Sequence, residues 1–292
     1  MNNFKNFVIF VLSLIILVQA AFLIDLLSHR QALKPKEAPK KAEVAVPAQP
    51  AVIPGAVEKA IPVPMVGPGV VLGKIALVLD DWGYNLKNKN FITDNDYHVT
   101  ISILPFRAYS THIAQLAYHK NKDVIVHMPM EPLNKENYKL EENTLLTGMD
   151  KKTVVRLLGD AFSVVPYAKG LSNHMGSRAT EDPRLMKIVF EYLKNNNFFF
   201  LDSLVTSQSV CRRLAKSFGI GFTQRDIFID NDSDPASIKD QLYKLAKRAQ
   251  RTGVAVGIGH DRSTTIAVLK EVIPQLEREG YQFVNLSQVL ER

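Results

Sequence analysis

Cysteine is almost absent from this 292-residue sequence: Cys211 stands alone, and a single thiol makes neither an intramolecular disulfide framework nor a thiolate zinc knuckle. That scarcity does not exclude an oxidising compartment. The setting SQSVCRRLAKSFG has helical spacing, so Cys211 is expected as a small buried hydrophobe rather than a nucleophile. A concentrated charge of one sign is also missing. The net charge is +7, but residues 1–73 hold 7 Lys/Arg against 4 Asp/Glu, and residues 74–292 hold 29 against 25. With no Arg-rich stripe and no aromatic RNP-type pattern, nucleic acid is not an expected partner. What is present is ordinary globular content, 46% hydrophobic, so the chain is not disordered as a whole.

The longest apolar run is 7–24, FVIFVLSLIILVQAAFLI, which is 18 residues without a charge behind Lys5. Such a run is just long enough to span a bilayer. A cleaved signal peptide is the alternative, because Val18, Gln19 and Ala20 place small residues where a signal peptidase reads. The apolar character continues past that site to Leu27, which favours an uncleaved anchor. Arg30, Lys34, Lys36, Lys40 and Lys41 follow, and the positive-inside rule alone assigns them to the cytoplasm. Residues 31–73 contain 8 of the 15 prolines, with Ala, Val and Lys, and read as an extended, semi-rigid spacer. The expected organisation is therefore an anchor or signal segment at 1–30, a linker at 31–73 and one folded domain at 74–292.

Within that domain short apolar runs alternate with amphipathic stretches. Strands are expected at 75–80, 99–106, 123–127, 170–174, 198–202, 226–230, 254–260 and 282–286. Helices are expected at 109–121, 150–164, 181–196, 206–218, 234–252 and 264–279, with starts signalled by Ser110, Asp150, Glu181 followed by Asp182-Pro183, Ser233-Asp234-Pro235 and Ser263. Repeated strand-helix alternation implies an α/β fold with a parallel sheet, here a closed or nearly closed (β/α) barrel, with an open doubly wound sheet as runner-up.

The strands end on polar groups: Asp80 with Asp81, His127, His174, Asp202, Asp230 and His260. A parallel barrel opens all strand C-terminal ends onto one face, so these groups are expected to converge there. Each also has an ordinary reading. Asp230, in the turn DNDSDP, is read as a helix cap before anything else, and His260 could cap the following helix together with Asp261. A lone His127 before MPMEP would more often be structural. Together, however, imidazoles and carboxylates on one face suit a divalent metal, and zinc takes such ligands at ~2.0–2.2 Å.

The stretches IALVLDDWGYN, VIVHMPMEP, LSNHMGSRAT, FFFLDSLVTSQSV, RDIFIDND and VGIGHDRSTTIAVL, in that order, resemble the divergent polysaccharide deacetylase family of the NodB-homology superfamily. The resemblance covers nearly all of 74–290 and implies a distorted (β/α) barrel of the glycoside hydrolase-deacetylase type. It also implies Asp80 as general base, Asp81 and His127 as metal ligands, and His260 as general acid with Asp202 as its partner. NodB-type enzymes carry a second histidine four residues after the first; here that position is Glu131. The third ligand is then Glu131 or His174, and the polar cluster of Asn173, His174, Ser177 and Arg178 favours His174. The family's Arg-Pro motif is not recognisable.

The implied activity is metal-dependent, zinc-assisted deacetylation of N-acetylated envelope polysaccharide or peptidoglycan on the extracytoplasmic side of a membrane. A glycan-binding protein without turnover is the alternative. A glycoside hydrolase is a third reading, disfavoured because paired-acid chemistry needs no histidines.

Overall fold

A computed structural model describes residues 71–291. The apolar run at 7–24 and nearly all of the 31–73 spacer lie outside the described residues. No helix among the described residues is long and apolar enough to cross a membrane.

Strands and helices alternate as β1 (Gly73–Trp82), a short α1 (Lys89–Thr93), β2 (Thr100–Ile103), α2 (Ser110–His119), β3 (Asp123–Met130), α3 (Lys151–Val164), β4 (Gly170–Met175), α4 (Pro183–Asn195), β5 (Phe199–Asp202), α5 (Cys211–Phe218), β6 (Phe222–Gln224), β7 (Ile227–Phe228), α6 (Pro235–Thr252), β8 (Val254–His260), α7 (Ser263–Arg278) and β9 (Tyr281–Val284). The ladders are parallel and run β6-β5-β4-β3-β2-β1-β8-β7, with β9 beside the first half of β1. Both faces of β1 are buried, which is why its sequence reads as a continuous apolar run rather than an alternation.

Of the closed or nearly closed barrel expected, the fully closed form is not found. The two edge strands, β6 and β7, do not pair with each other; they are consecutive in the chain and joined through Arg225 and Asp226. Arg225 N–H donates to Asp202 O of β5 at 3.0 Å and Asp226 N–H to Val256 O of β8 at 2.8 Å, so this link bonds to the strand next to each edge. The architecture is a parallel half-barrel whose gap is bridged by the chain itself. A planar doubly wound sheet does not fit either. Ala76, Val78, Ile125, Leu201, Val256 and Ile258 form an inner apolar cluster, separate from the larger cluster that packs the outer faces of the strands against the helices.

Helix starts follow local chemistry. Asp150, Asp182 and Asp234 each accept backbone N–H groups as N-caps, and Pro183 and Pro235 occupy the first turn, where a missing N–H costs nothing. Ser110 and Ser263 are not caps. The Ser110 hydroxyl donates to Leu104 O, and α7 begins after Arg262 with no side-chain cap. The expected helix at 206–218 starts only at Cys211, because the Ser209 hydroxyl accepts the Cys211 N–H while donating to Asp202, and this holds the preceding residues in a turn. Cys211 itself is buried. Strand β6 went unread because three residues carry no periodicity.

One glycine brings a helix close to the site's supporting strand. A Cβ on Gly257 of β8 would stand 2.5 Å from Leu245 Cδ2 of α6. Only a hydrogen there lets α6 lie against β8, the strand that carries His260.

Candidate active site

Alternation along β1 points Ala76, Val78 and Asp80 inward, and by that rule Asp81 would point outward. It does not, because β1 bulges. Val78 pairs with Thr100 and Leu79 with Ile101, yet the next pair is Trp82 with Ile103, three residues on one strand against two on the other. Asp81 absorbs the extra residue at φ 65°, a left-handed conformation that Asp tolerates better than most residues. The bulge turns two consecutive carboxylates toward the same place.

His127 projects inward from β3 and His174 from β4. Asp81 Oδ1 lies 3.4 Å from His127 Nε2 and 3.1 Å from His174 Nδ1, and the two ring nitrogens are 3.2 Å apart. Ligands at ~2.0–2.2 Å around a tetrahedral ion stand about 3.3–3.6 Å from one another; one edge of the triangle falls in that range, and the other two, at 3.1 and 3.2 Å, are just short of it. The donor set fits: Asp81 Oδ1 is buried without a hydrogen-bond partner, as is Asp80 Oδ1 alongside. Asp81, His127 and His174 are the metal-competent group among the described residues.

Environment separates the two acids. Burial raises the Asp80 carboxyl above its ordinary value, with the opposing pull of His127 and His260 insufficient to reverse it. Burial also acts on Asp81, but the His127 and His174 imidazoles beside its carboxylate outweigh it and hold that carboxyl well below the usual range. His127 Nδ1 meets the Ser172 hydroxyl at 2.8 Å, and Ser172 meets Ser102 at 3.0 Å.

Two expectations need correction. Glu131 does not approach the group. It follows the last residue of β3, so the strand's alternation no longer aims it, and its carboxylate clamps loops instead: Oε1 accepts from Lys135 Nζ at 2.8 Å, and Oε2 from Thr147 N at 2.6 Å and Oγ1 at 2.8 Å. Asp202 is not the partner of His260. Its oxygens accept from Leu204 N at 2.8 Å and Ser209 Oγ at 2.6 Å, which shapes the turn after β5.

The partner is Asp230. Its Oδ1 lies 2.8 Å from His260 Nδ1, while Oδ2 accepts the His260 N–H at 2.9 Å and the Thr265 hydroxyl at 2.7 Å. Asp230 is fully buried and caps nothing; Asp234 does that. Register shows why. Phe228 pairs with Ile258, so Asp230 and His260, each two residues further on, arrive level. His260 also pairs across the ladder with Asp80. Burial alone would lower the His260 pKa, but Asp230, then Asp80 and Asp81, outweigh it and raise it. Phe228 lies beside the imidazole, ring centroids 6.0 Å apart, and the Arg225 guanidinium stacks on Phe228 at 3.8 Å. Neither Arg225 nor Phe228 was singled out from sequence, and neither was Ser102 or Ser172. The serines had a readable signal, because Ser172 shares strand parity with His174.

A family model described as "Divergent polysaccharide deacetylase" matches residues 77–290. The chain belongs to that family. Among its relatives, the uncharacterized protein YibQ of Escherichia coli (strain K12) is 33% identical over 207 residues, 71% of this chain and 64% of that protein. An uncharacterized protein of Haemophilus influenzae is 35% identical over 213 residues, 73% of this chain and 75% of its own length. The chain thus spans somewhat under two thirds of the E. coli relative's length. The crystal structure of an uncharacterized protein from Agrobacterium tumefaciens C58 shares the fold at TM-score 0.72 and 21% identity, covering 77% of this chain and 92% of that one. The half-barrel is therefore a deacetylase-family fold.

Proposed function

We propose that this member of the divergent polysaccharide deacetylase family is a metal-dependent hydrolase that removes acetyl groups from N-acetylated envelope polysaccharide or peptidoglycan. The observation that carries the reading is the Asp81–His127–His174 triangle, with Asp80 on one side and a His260–Asp230 pair across the ladder from it. Zinc held by Asp81, His127 and His174 would supply Lewis acidity, which brings the pKa of water from ~15.7 to about 7.

The chain's own groups move the protons. Asp80, a stronger base than an exposed carboxylate because burial raises its pKa, takes a proton from the attacking water. A C–O bond forms at the acetyl carbon and the C–N bond breaks. His260 gives its Nε2 proton to the departing amine, while Asp230 keeps Nδ1 engaged and stabilises the imidazolium. The products are acetate and a free amino sugar.

The proposal extends to location: an extracytoplasmic domain held to the membrane by the 7–24 segment, with the proline-rich spacer giving reach toward cell-wall material. A reporter fused after Arg292 tests this, and activity confined to cytoplasmic reporters overturns it.

The glycan-binding reading without turnover has one observation in its favour, the diversion of Glu131 into a loop clamp where NodB-type enzymes place a second histidine. Acetate release from N-acetylated glycan and peptidoglycan fragments, measured with zinc and other divalent metals, decides. Release supports deacetylation; binding without release under every metal supports the alternative.

A further inference from the structure

Three loops at the strand C-terminal ends meet around one carboxylate. Glu141, in the connection between β3 and α3, accepts from the Tyr84 hydroxyl of the loop after β1, and its Oε2 lies 2.8 Å from Arg107 Nη2 of the loop after β2. The Arg107 guanidinium also stands over the Tyr84 ring, 5.4 Å from its centroid and within cation–π range. The first two loops are fixed against each other. Gly83 has φ 118°, a Cβ there would stand 3.2 Å from Arg107 Cβ, and its carbonyl accepts the Tyr109 N–H at 3.0 Å. Glu141 is held differently: Glu131 ties Lys135 to Thr147, so Glu141 sits midway along an arch whose base is fixed and whose crown belongs to no strand or helix.

An ion pair between loops is ordinarily a clamp and nothing more. Two details here go beyond that. Nε and Nη2 form the side of the guanidinium fork that takes both oxygens of a carboxylate, yet Glu141 pairs with Nη2 and turns Oε1 to Tyr84. Arg107 Nε is left buried with no hydrogen-bond partner, an unfavourable arrangement if stability were the whole purpose. Beside this half-filled fork Tyr84 is exposed, three residues beyond Asp81, and its ring offers a flat surface to the apolar C–H side of a pyranose. We propose that Tyr84 and Arg107 form a subsite for a sugar carrying a carboxylate, and that Glu141 occupies it as an internal stand-in which such a sugar displaces. The ligand carboxylate takes Nε and Nη2 together, and Glu141 swings out to water. This deepens the glycan reading above and rests on it, but on neither a metal ion nor turnover. A uronate and a lactyl ether present the same group to the fork, and the experiment separates them.

The test uses the full chain in detergent with a chelator present, and reads dissociation constants by ligand-observed NMR titration. The probes are N-acetylmuramic acid and glucuronic acid, each against its neutral counterpart, N-acetylglucosamine and glucose. The expected result is tighter binding of the carboxylated sugar in at least one pair, and the pair that shows it tells whether the carboxylate hangs from a lactyl ether or from the ring. Glu141→Gln, which removes the competing charge, widens that gap about tenfold, and Arg107→Met closes it. Equal affinity within both pairs in a folded Glu141→Gln chain overturns the inference, as does acetate binding as tightly as the carboxylated sugars, since the sugar ring then contributes nothing. Should Glu141→Gln fail to fold, equal affinity within both pairs in the wild type overturns it. A chain that discriminates but releases no acetate from N-acetylated glycan supports this inference while overturning deacetylation. Release without discrimination overturns this inference alone.

Discussion

Asp230→Asn separates the site's geometry from its chemistry. The native carboxylate accepts one donor at Oδ1, the His260 Nδ1–H, and two at Oδ2, the His260 N–H and the Thr265 hydroxyl. An amide has a single acceptor oxygen. Placed with that oxygen at Oδ2, Asn turns its NH2 group toward Nδ1, which must then accept, and the imidazole proton moves to Nε2 without the charge that made it a good donor. Placed the other way, NH2 faces two donors inside a fully buried site. Loss of a hydrogen bond to a charged group costs ~1.5–3 kcal/mol, and each 1.4 kcal/mol is tenfold, so acetate release is expected to fall roughly 10- to 150-fold. The pH dependence has a definite sign. The raised His260 pKa means its share of stability is complete below the unfolded value of about 6.5 and is lost as pH rises through the folded value. The lowered Asp230 pKa means its share is present above about 3.9 and is lost as pH falls through its folded value. The melting-temperature gap between wild type and Asp230→Asn, measured in chelator, is therefore widest near pH 5–6 and narrows toward pH 8. Activity within twofold of wild type, together with a pH-independent gap, refutes the assignment. Asp202→Asn is the control, since it loosens the β5 turn without touching His260.

Three further outcomes follow from the same geometry. His127→Ala and His174→Ala each lose bound zinc by elemental analysis, whereas Glu131→Gln keeps it and melts lower because the Thr147 and Lys135 clamp is weakened; full occupancy in both histidine variants contradicts the triangle. Gly257→Ala drives a Cβ against Leu245 at 2.5 Å and is expected to cost ~1–3 kcal/mol, a fall of roughly 2–12 °C in melting temperature for a domain of this size. Asp81→Asn, which also accepts a left-handed backbone, keeps the fold but loses zinc affinity, while Asp81→Val melts substantially lower because a β-branched residue resists φ 65°.

Much of the scaffold was legible because it depends on near neighbours in the chain. Three Asp N-caps, two of them followed by Pro, mark helix starts, and the apolar runs of β1, β3 and β8 announce parallel strands buried on both faces. The convergence of Asp81, His127 and His174 was expected from strand ends alone, and the structure brings those three side chains together. What misled was local resemblance. Asp230 sits in a turn crowded with acids and looked like a cap, and Asp202 closes an apolar run in the sequence as Asp80 does. Glu131 stands at a family spacing that has meaning only if the strand continues, and β3 stops at Met130.

The sequence by itself determined the alternation of strands and helices, the parity that sends Asp80, His127, His174 and His260 inward, and the caps that start three helices. Those properties depend on periodicity and on side chains within a few residues of the backbone they bond. Only the tertiary structure decided which carboxylate serves His260, which hydroxyl meets His127, and where the half-barrel leaves its gap. A carboxylate acts on whatever donor lies within about 3 Å, and here that donor comes from a strand whose register is set by pairing between β7 and β8. The bulge at Asp81 is the same kind of fact: it exists because β1 must match β2 on one side while keeping step with β8 on the other.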